Sequence, residues 1–172
     1  VGYTVIVGAD GAVFSKIGSA VWSDVSPSGL SAIQLQDVIA LNANKYFIIG
    51  SSGTVYESYD ISDSGSWLNK SPSIISANLF AIAYYEYSTS DKKLIVAGTT
   101  GTIAYSDYNP TTSDWTDVSI SGEVQTIKCL TVSGGTFVAV GTAGIIYYSA
   151  NGINWTKAQS GTTADLQSVV SF

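Results

Sequence analysis

Glycoside hydrolysis needs only two carboxyl groups, one as acid and one as base or nucleophile. The chain places three in or beside apolar, strand-like runs, at Asp37, Glu57 and Glu86. Asp37 sits where a side chain could face a central channel, and burial there would raise its pKa. No spacing singles out a pair, and a solvated or turn-bracing carboxylate is the simpler account of each. Other chemistries fail for want of residue types. With no His there is no Ser-His-Asp or Cys-His relay and no imidazole ligand. All seven basic residues are Lys, so no guanidinium fork can grip a carboxylate or phosphate. The single Cys129, in "IKCLTV", reads as an inert core thiol. "DISDSG" (Asp60 to Gly65) opens like a calcium loop, but Ser71 stands where the bidentate Glu should be, so a surface turn is expected. We therefore expect no catalytic residue, no metal and no cofactor.

Aromatic side chains are the larger resource: eleven Tyr and four Trp. Tyr59, Tyr87 and Tyr108 lie in long polar stretches beside Asp60, Ser88, Asp107 and Asn109. A loop tyrosine can stack on a sugar or anchor a protein contact at low entropic cost. Tyr59, Asp60, Tyr87, Asp107 and Tyr108 are accordingly the candidate ligand-binding residues.

The elements that must position them repeat. "YTVIVGADGAVFSK", "KYFIIGSSGTVYES", "KLIVAGTTGTIAYS" and "TFVAVGTAGIIYYS" each run apolar, then Gly-x-x-Gly, then apolar again. The glycine pairs, from Gly8/Gly11 to Gly141/Gly144, predict tight hairpins in which Gly supplies positive φ. One Trp follows each block, at Trp22, Trp67, Trp115 and Trp155, and is expected to pack between units. A period of roughly 40 to 48 residues with four strands per unit is the signature of propeller blades. Inner strands are read at "LQDVIAL", "LFAIAYY" and "VQTIKCL", opening at Leu35, Leu79 and Val124. A further copy, "LQSVVSF", ends the chain, whereas the N-terminus opens directly at a second strand. The expectation is a single all-β domain over residues 1–172: four blades of four antiparallel strands, the first completed by the C-terminal strand. Such closure would remove an exposed sheet edge. Pairing with a second copy into a larger ring is the competing arrangement.

"SANGINW" (Ser149 to Trp155) resembles the Asp-box hairpin of sialidase-type propellers, with Asn151 in place of Asp and the spacing one residue short. "SYDISDSGSW", "SDYNPTTSDW" and "SKIGSAVW" are looser versions. The full pattern, Gly-x-x-Gly-x-[Ile/Val]-x-x-Ser then Trp, is similar to BNR-like and photosystem-assembly-type blades. The resemblance implies a propeller whose boxes brace turns. It does not extend to sialidase activity, which needs an arginine cluster.

Charged residues make up 12% of the chain, about half the usual share, and the net charge is −6. That balance opposes nucleic acid and anionic lipid. No apolar run reaches the roughly 18 residues of a membrane span. The start at Val1, without Met, suits a processed product or an excised domain. Few charges, many hydroxyls and aromatic loops suggest a non-enzymatic recognition or adhesion module in an extracellular, cell-surface or virion setting. Its partner would be a glycan or protein surface, with a homo-oligomer or larger assembly in view. The alternatives are a structural part of a virion or surface assembly and, more remotely, a carboxylate-dependent hydrolase.

Overall fold

The computed structural model describes residues 2–42 and 44–171. The chain is a four-bladed, all-β propeller of successive antiparallel sheets. The first sheet holds β1 (Tyr3–Val7), β2 (Val13–Ile17) and β3 (Ser23–Asp24). The second runs β4 (Leu35–Asn42), β5 (Lys45–Gly50), β6 (Val55–Ser58) and β7 (Leu68–Asn69). The third runs β8 (Leu79–Ser88), β9 (Asp91–Gly98), β10 (Ile103–Ser106) and β11 (Thr116–Asp117). The fourth runs β12 (Ile127–Ser133), β13 (Thr136–Gly141), β14 (Ile146–Ser149) and β15 (Thr156–Ala158).

The second strands β5 and β9 are apolar on both faces because the second and third sheets are sandwiched between neighbours. Along β5, Tyr46 and Ile48 face the first blade while Phe47 and Ile49 face the third. Along β9, Leu94 and Val96 face the second blade while Ile95 and Ala97 face the fourth. Three apolar clusters result, one between each successive pair of sheets. Fully buried Phe47, Ile48, Ile95 and Phe137 each contribute about 1.5–3 kcal/mol by leaving water. The outer strands β3, β7 and β11 are two residues long and exposed, which limits the edge available for aggregation.

Both glycines of the repeated pair matter, for different reasons. The turn is type I′, so positive φ falls on the second x and the second Gly, as in Ser52 (57°) and Gly53 (69°). The first Gly is extended backbone, at φ −166° for Gly98. Its role is close approach: a Cβ on Gly98 would lie 1.9 Å from the Asn78 carbonyl oxygen, and one on Gly141 would lie 1.9 Å from that of Thr126. These carbonyls belong to the segments entering each inner strand, and they accept from Thr99 N–H (3.0 Å) and Thr142 N–H (2.9 Å). The second Gly reaches forward to the next blade: Gly53 N–H to Ala77 O (2.7 Å) and Gly101 N–H to Gln125 O (2.8 Å). The hairpins of the second and third blades thus each clasp their own blade and the following one.

Inner strands share a bulge after their first residue, at Leu35/Asp37, Leu79/Ala81 and Ile127/Cys129. Ile127, not Val124, is therefore the counterpart of Leu35; the sequence repeat alone set the frame of the fourth blade three residues early. Of the four tryptophans, Trp67 and Trp115 reach back to the preceding blade, donating to Val25 O (2.9 Å) and Lys70 O (2.8 Å). Trp155 donates to its own turn at Gly152 O (3.2 Å), and Trp22 stays exposed under the Lys16 ammonium.

The closing strand requires a correction. The first sheet has three strands, and no strand pairs with the inner edge of β1 among the described residues. Residues 164–171 form no strand and run beside the fourth blade. Leu166 N–H donates to Gly141 O (2.9 Å), repeating the bond from Leu35 to Gly8 O (3.1 Å). Asp165 accepts from Ala143 N–H (2.9 Å) as Asn78 accepts from Ser52 N–H (3.0 Å), and Thr131 meets Ser171 at 2.8 Å. The segment has the inner-strand position that follows the fourth sheet. Its sequence similarity to an inner strand was sound, but sequence carries no information on which sheet a strand joins.

The two roles of first-position glycine can be separated. Gly98→Ala should cost about 2 kcal/mol or more, because backbone must move, and lower the thermal midpoint by about 4–8 °C. Gly8→Ala, with nothing within 4 Å of its Cβ, should change the midpoint little. Equal effects in differential scanning calorimetry would refute the close-approach account.

Candidate functional site

In an antiparallel blade the β4–β5 and β6–β7 links share one propeller face with the β8–β9 and β10–β11 links. All the long polar loops of the second and third blades therefore emerge together. They converge on Lys45, a fully buried lysine at the start of β5. Its Nζ lies 2.7 Å from Glu57 Oε1 and donates to Tyr108 O (2.6 Å) and Asn109 Oδ1 (2.5 Å). Two hydrogen-bond acceptors and one carboxylate charge thus surround the ammonium. The Nζ–Oε1 approach is short but badly angled for a hydrogen bond, leaving Oε1 held by charge. Glu57 is buried too, and its second oxygen meets Lys70 at 3.2 Å.

Aromatic rings enclose the cation. Nζ sits 3.8 Å from the Tyr108 ring centroid, 5.2 Å from that of Tyr59 and 5.3 Å from that of Phe47. Tyr84 packs on Tyr108 at 5.8 Å. Burial first, then the nearby Glu57 carboxylate, pushes the Tyr59 phenol up to about 12. Burial and Glu86 do the same for Tyr84, also to about 12. Both phenols are neutral donors at physiological pH. Beside this latch lies a cleft of about 270 Å³ lined by Thr89, Ser90, Lys92, Asp107, Tyr108 and Asn109. Lys92 lies over the Tyr108 ring, 4.9 Å from its centroid, and pairs with Glu86 at 3.2 Å. Lys93 pairs with Asp91 (2.8 Å) and reaches Asp107 (3.5 Å).

The candidate residues divide. Tyr59 and Tyr108 share the Lys45 cage, and Asp107 stands on the rim of the cleft with its side chain 84% exposed. Asp60 folds onto its own turn, accepting from Ser62 N–H (3.0 Å) and Ser62 Oγ (2.5 Å), and these bonds lower its pKa. Tyr87 sits elsewhere: its hydroxyl donates to Gly135 O (3.2 Å) and Ala150 O (3.0 Å) of the fourth blade. Lys45, Lys92 and the latch role of Asn109 escaped sequence reading. The available signal was a lysine and a glutamate placed within apolar strand cores, at "NKYFIIG" and "VYES".

The other carboxylates are committed locally. Asp37 accepts from Val38 N–H (2.8 Å) and from Ile82 N–H of β8 (3.1 Å), bracketing two inner strands; burial raises its pKa. On the opposite face Glu123 binds Tyr147 OH (2.5 Å), Lys157 Nζ (3.1 Å) and the N–H groups of Val124 and Gln125 (both 3.0 Å). The Tyr147 bond is the largest cause of a Glu123 pKa near about 2. In the last blade, Asn151 Oδ1 accepts from Ile153 N–H (2.9 Å) and Asn154 N–H (3.0 Å), closing the "SANGINW" turn.

A solved structure described as "YCF48 bound to D1 peptide" is similar to the chain at 12% identity and a TM-score of 0.32, over 91% of this chain and 77% of that one. No protein-family model and no curated protein matches the sequence.

Two outcomes follow from these clusters. Lys45→Met leaves the buried Glu57 with Lys70 as its one cation and should cost about 3 kcal/mol; Lys45→Met with Glu57→Gln should cost less than the sum of the single variants, read by urea unfolding. For Glu123, the folded pKa lies below the unfolded 4.5, so its stabilisation is present above about pH 4.5 and lost as pH falls towards about 2. The stability gap between wild type and Glu123→Gln should close over that window; a gap independent of pH would refute it.

Proposed function

We propose that this propeller is a non-enzymatic recognition module that binds a glycan or protein surface through the loop face of its second and third blades. The observation behind this reading is the Lys45 latch, which ties the start of β5 to the Tyr108–Asn109 loop and so holds one wall of the cleft in place. A preorganised wall lowers the ordering cost of binding. Functional loops on a rigid scaffold are the usual arrangement for recognition. The non-enzymatic part rests on the carboxylates: Glu57 is shared by two lysines and Asp37 by two backbone amides, so neither is placed as a free acid or base. An extracellular, cell-surface or virion setting suits such a module.

A second reading, a structural part of a larger assembly, has one observation in its favour. Tyr3, Ile6, Ile17, Val21 and Trp22 are all exposed, and all belong to the first blade. Single-particle or sedimentation measurements showing assembly sensitive to Ile6→Lys would favour it.

Recognition is tested by probing arrays of glycans and of surface proteins with the wild-type chain and with Tyr108→Ala and Asp107→Ala variants. Captured ligand should fall at least about tenfold for Tyr108→Ala, as at a binding hot spot. Asp60→Ala should leave it unchanged. Capture that ignores both cleft variants would overturn the reading.

A further inference from the structure

We infer that the cleft beside Tyr108 takes an uncharged sugar residue, a statement that rests on the recognition reading and narrows it. The argument is one of charge matching. Every lysine on this part of the face already has a carboxylate: Lys45 and Lys70 share Glu57, Lys92 has Glu86, and Lys93 has Asp91 and Asp107. Lys45 is moreover wholly buried, hydrogen-bonded to Tyr108 and Asn109 and paired in charge with Glu57. An anionic sugar, bearing a carboxylate, sulfate or phosphate, would have to displace one of these partners. It would also approach the exposed Asp107 and find no guanidinium, since the chain has no Arg.

A cationic group fares no better. Lys92 forms a wall of the same cleft, close to a Tyr108 ring that already carries Lys45. A cleft of about 270 Å³ with a cation on one wall and an anion on its rim disfavours net charge of either sign. It favours a ligand that is neutral but rich in both donors and acceptors. Vicinal hydroxyls fit: they donate to Asp107 and accept from Lys92, while Ser90 and Thr89 serve either way. With its oxygen engaged by Lys45, Asn109 offers its amide NH2 as a further donor. Bonds to the two charged groups are the strong ones. The volume lies just below the range of about 300–1,000 Å³ typical of drug-sized sites, which suits a terminal sugar rather than a long chain segment.

The test uses the intact chain against galactose-, glucose- and mannose-terminated oligosaccharides displayed multivalently, alongside their sialylated, uronate-bearing and sulfated counterparts. The expected result is capture of at least one neutral glycan, weakened at least tenfold by Asp107→Ala and by Lys92→Ala. Neutral glycans should be preferred over their charged counterparts at least fivefold, and capture should be nearly independent of salt between 0.05 and 0.5 M, where screening would weaken an ionic contact (the Debye length is about 10 Å at 0.1 M). Stronger binding of the charged glycans overturns the proposal, as does neutral binding indifferent to both variants. Failure of every glycan, with a protein ligand still captured and lost on Tyr108→Ala, overturns the sugar assignment and leaves recognition standing. Failure of both classes overturns both. Near-ultraviolet circular dichroism of each variant separates lost contacts from lost fold.

Discussion

The structure depends on one close approach: hairpin backbone against the segment that enters each inner strand. With glycine at the first position of the turn, the carbonyls of Asn78 and Thr126 sit where a Cβ would otherwise be. That contact lets Thr99 and Thr142 bond backward while Gly53 and Gly101 bond forward to the next blade. Blade spacing is therefore set by backbone hydrogen bonds at one face, and apolar clusters fill the gap this spacing leaves. A larger residue at the first glycine would separate turn from strand and open the cluster behind it. The non-glycine residues Ser52, Thr100 and Ala143, held at φ 53–57° in the same turns, show that the clasp outweighs local backbone preference, a penalty of about 1 kcal/mol each.

The opposite face is organised by side chains instead. Lys45 and Glu57 begin as neighbours across β5 and β6, buried where water cannot compensate them. Such a pair is a weak source of stability, since desolvation offsets much of the attraction. What it provides is position. The ammonium must find hydrogen-bond acceptors, and both that it finds, Tyr108 O and Asn109 Oδ1, lie in a loop of the next blade. A long polar loop is thereby tied to a strand buried along its whole length. Glu123, Tyr147 and Lys157 form a comparable link on the hairpin face, though it is less buried and open to titration.

The ends of the chain follow the same logic. Leu166 and Asp165 repeat contacts made at the entries to other inner strands, so residues 164–171 behave as the opening of an inner strand although they carry no sheet of their own. Gly8, the one first-position glycine whose own inner strand is not among the described residues, has open space where its counterparts have a carbonyl.

Sequence alone determined the blade: the glycine pairs, the apolar runs and the spacing of the tryptophans are local, and local periodicity survives translation into strands. It also marked Tyr59, Asp107 and Tyr108 as loop residues of interest. Three things were decided by tertiary structure. The frame of the fourth inner strand follows a bulge, which is a property of pairing and not of composition. The partner of the C-terminal segment depends on which sheet edge is nearest, and identical strand sequences cannot encode that choice. The site depends on Lys45, whose meaning comes from residues more than sixty positions away. A lone lysine in an apolar run looks like a strand-end charge until the fold encloses it, because burial and charge pairing are long-range facts that no local pattern records.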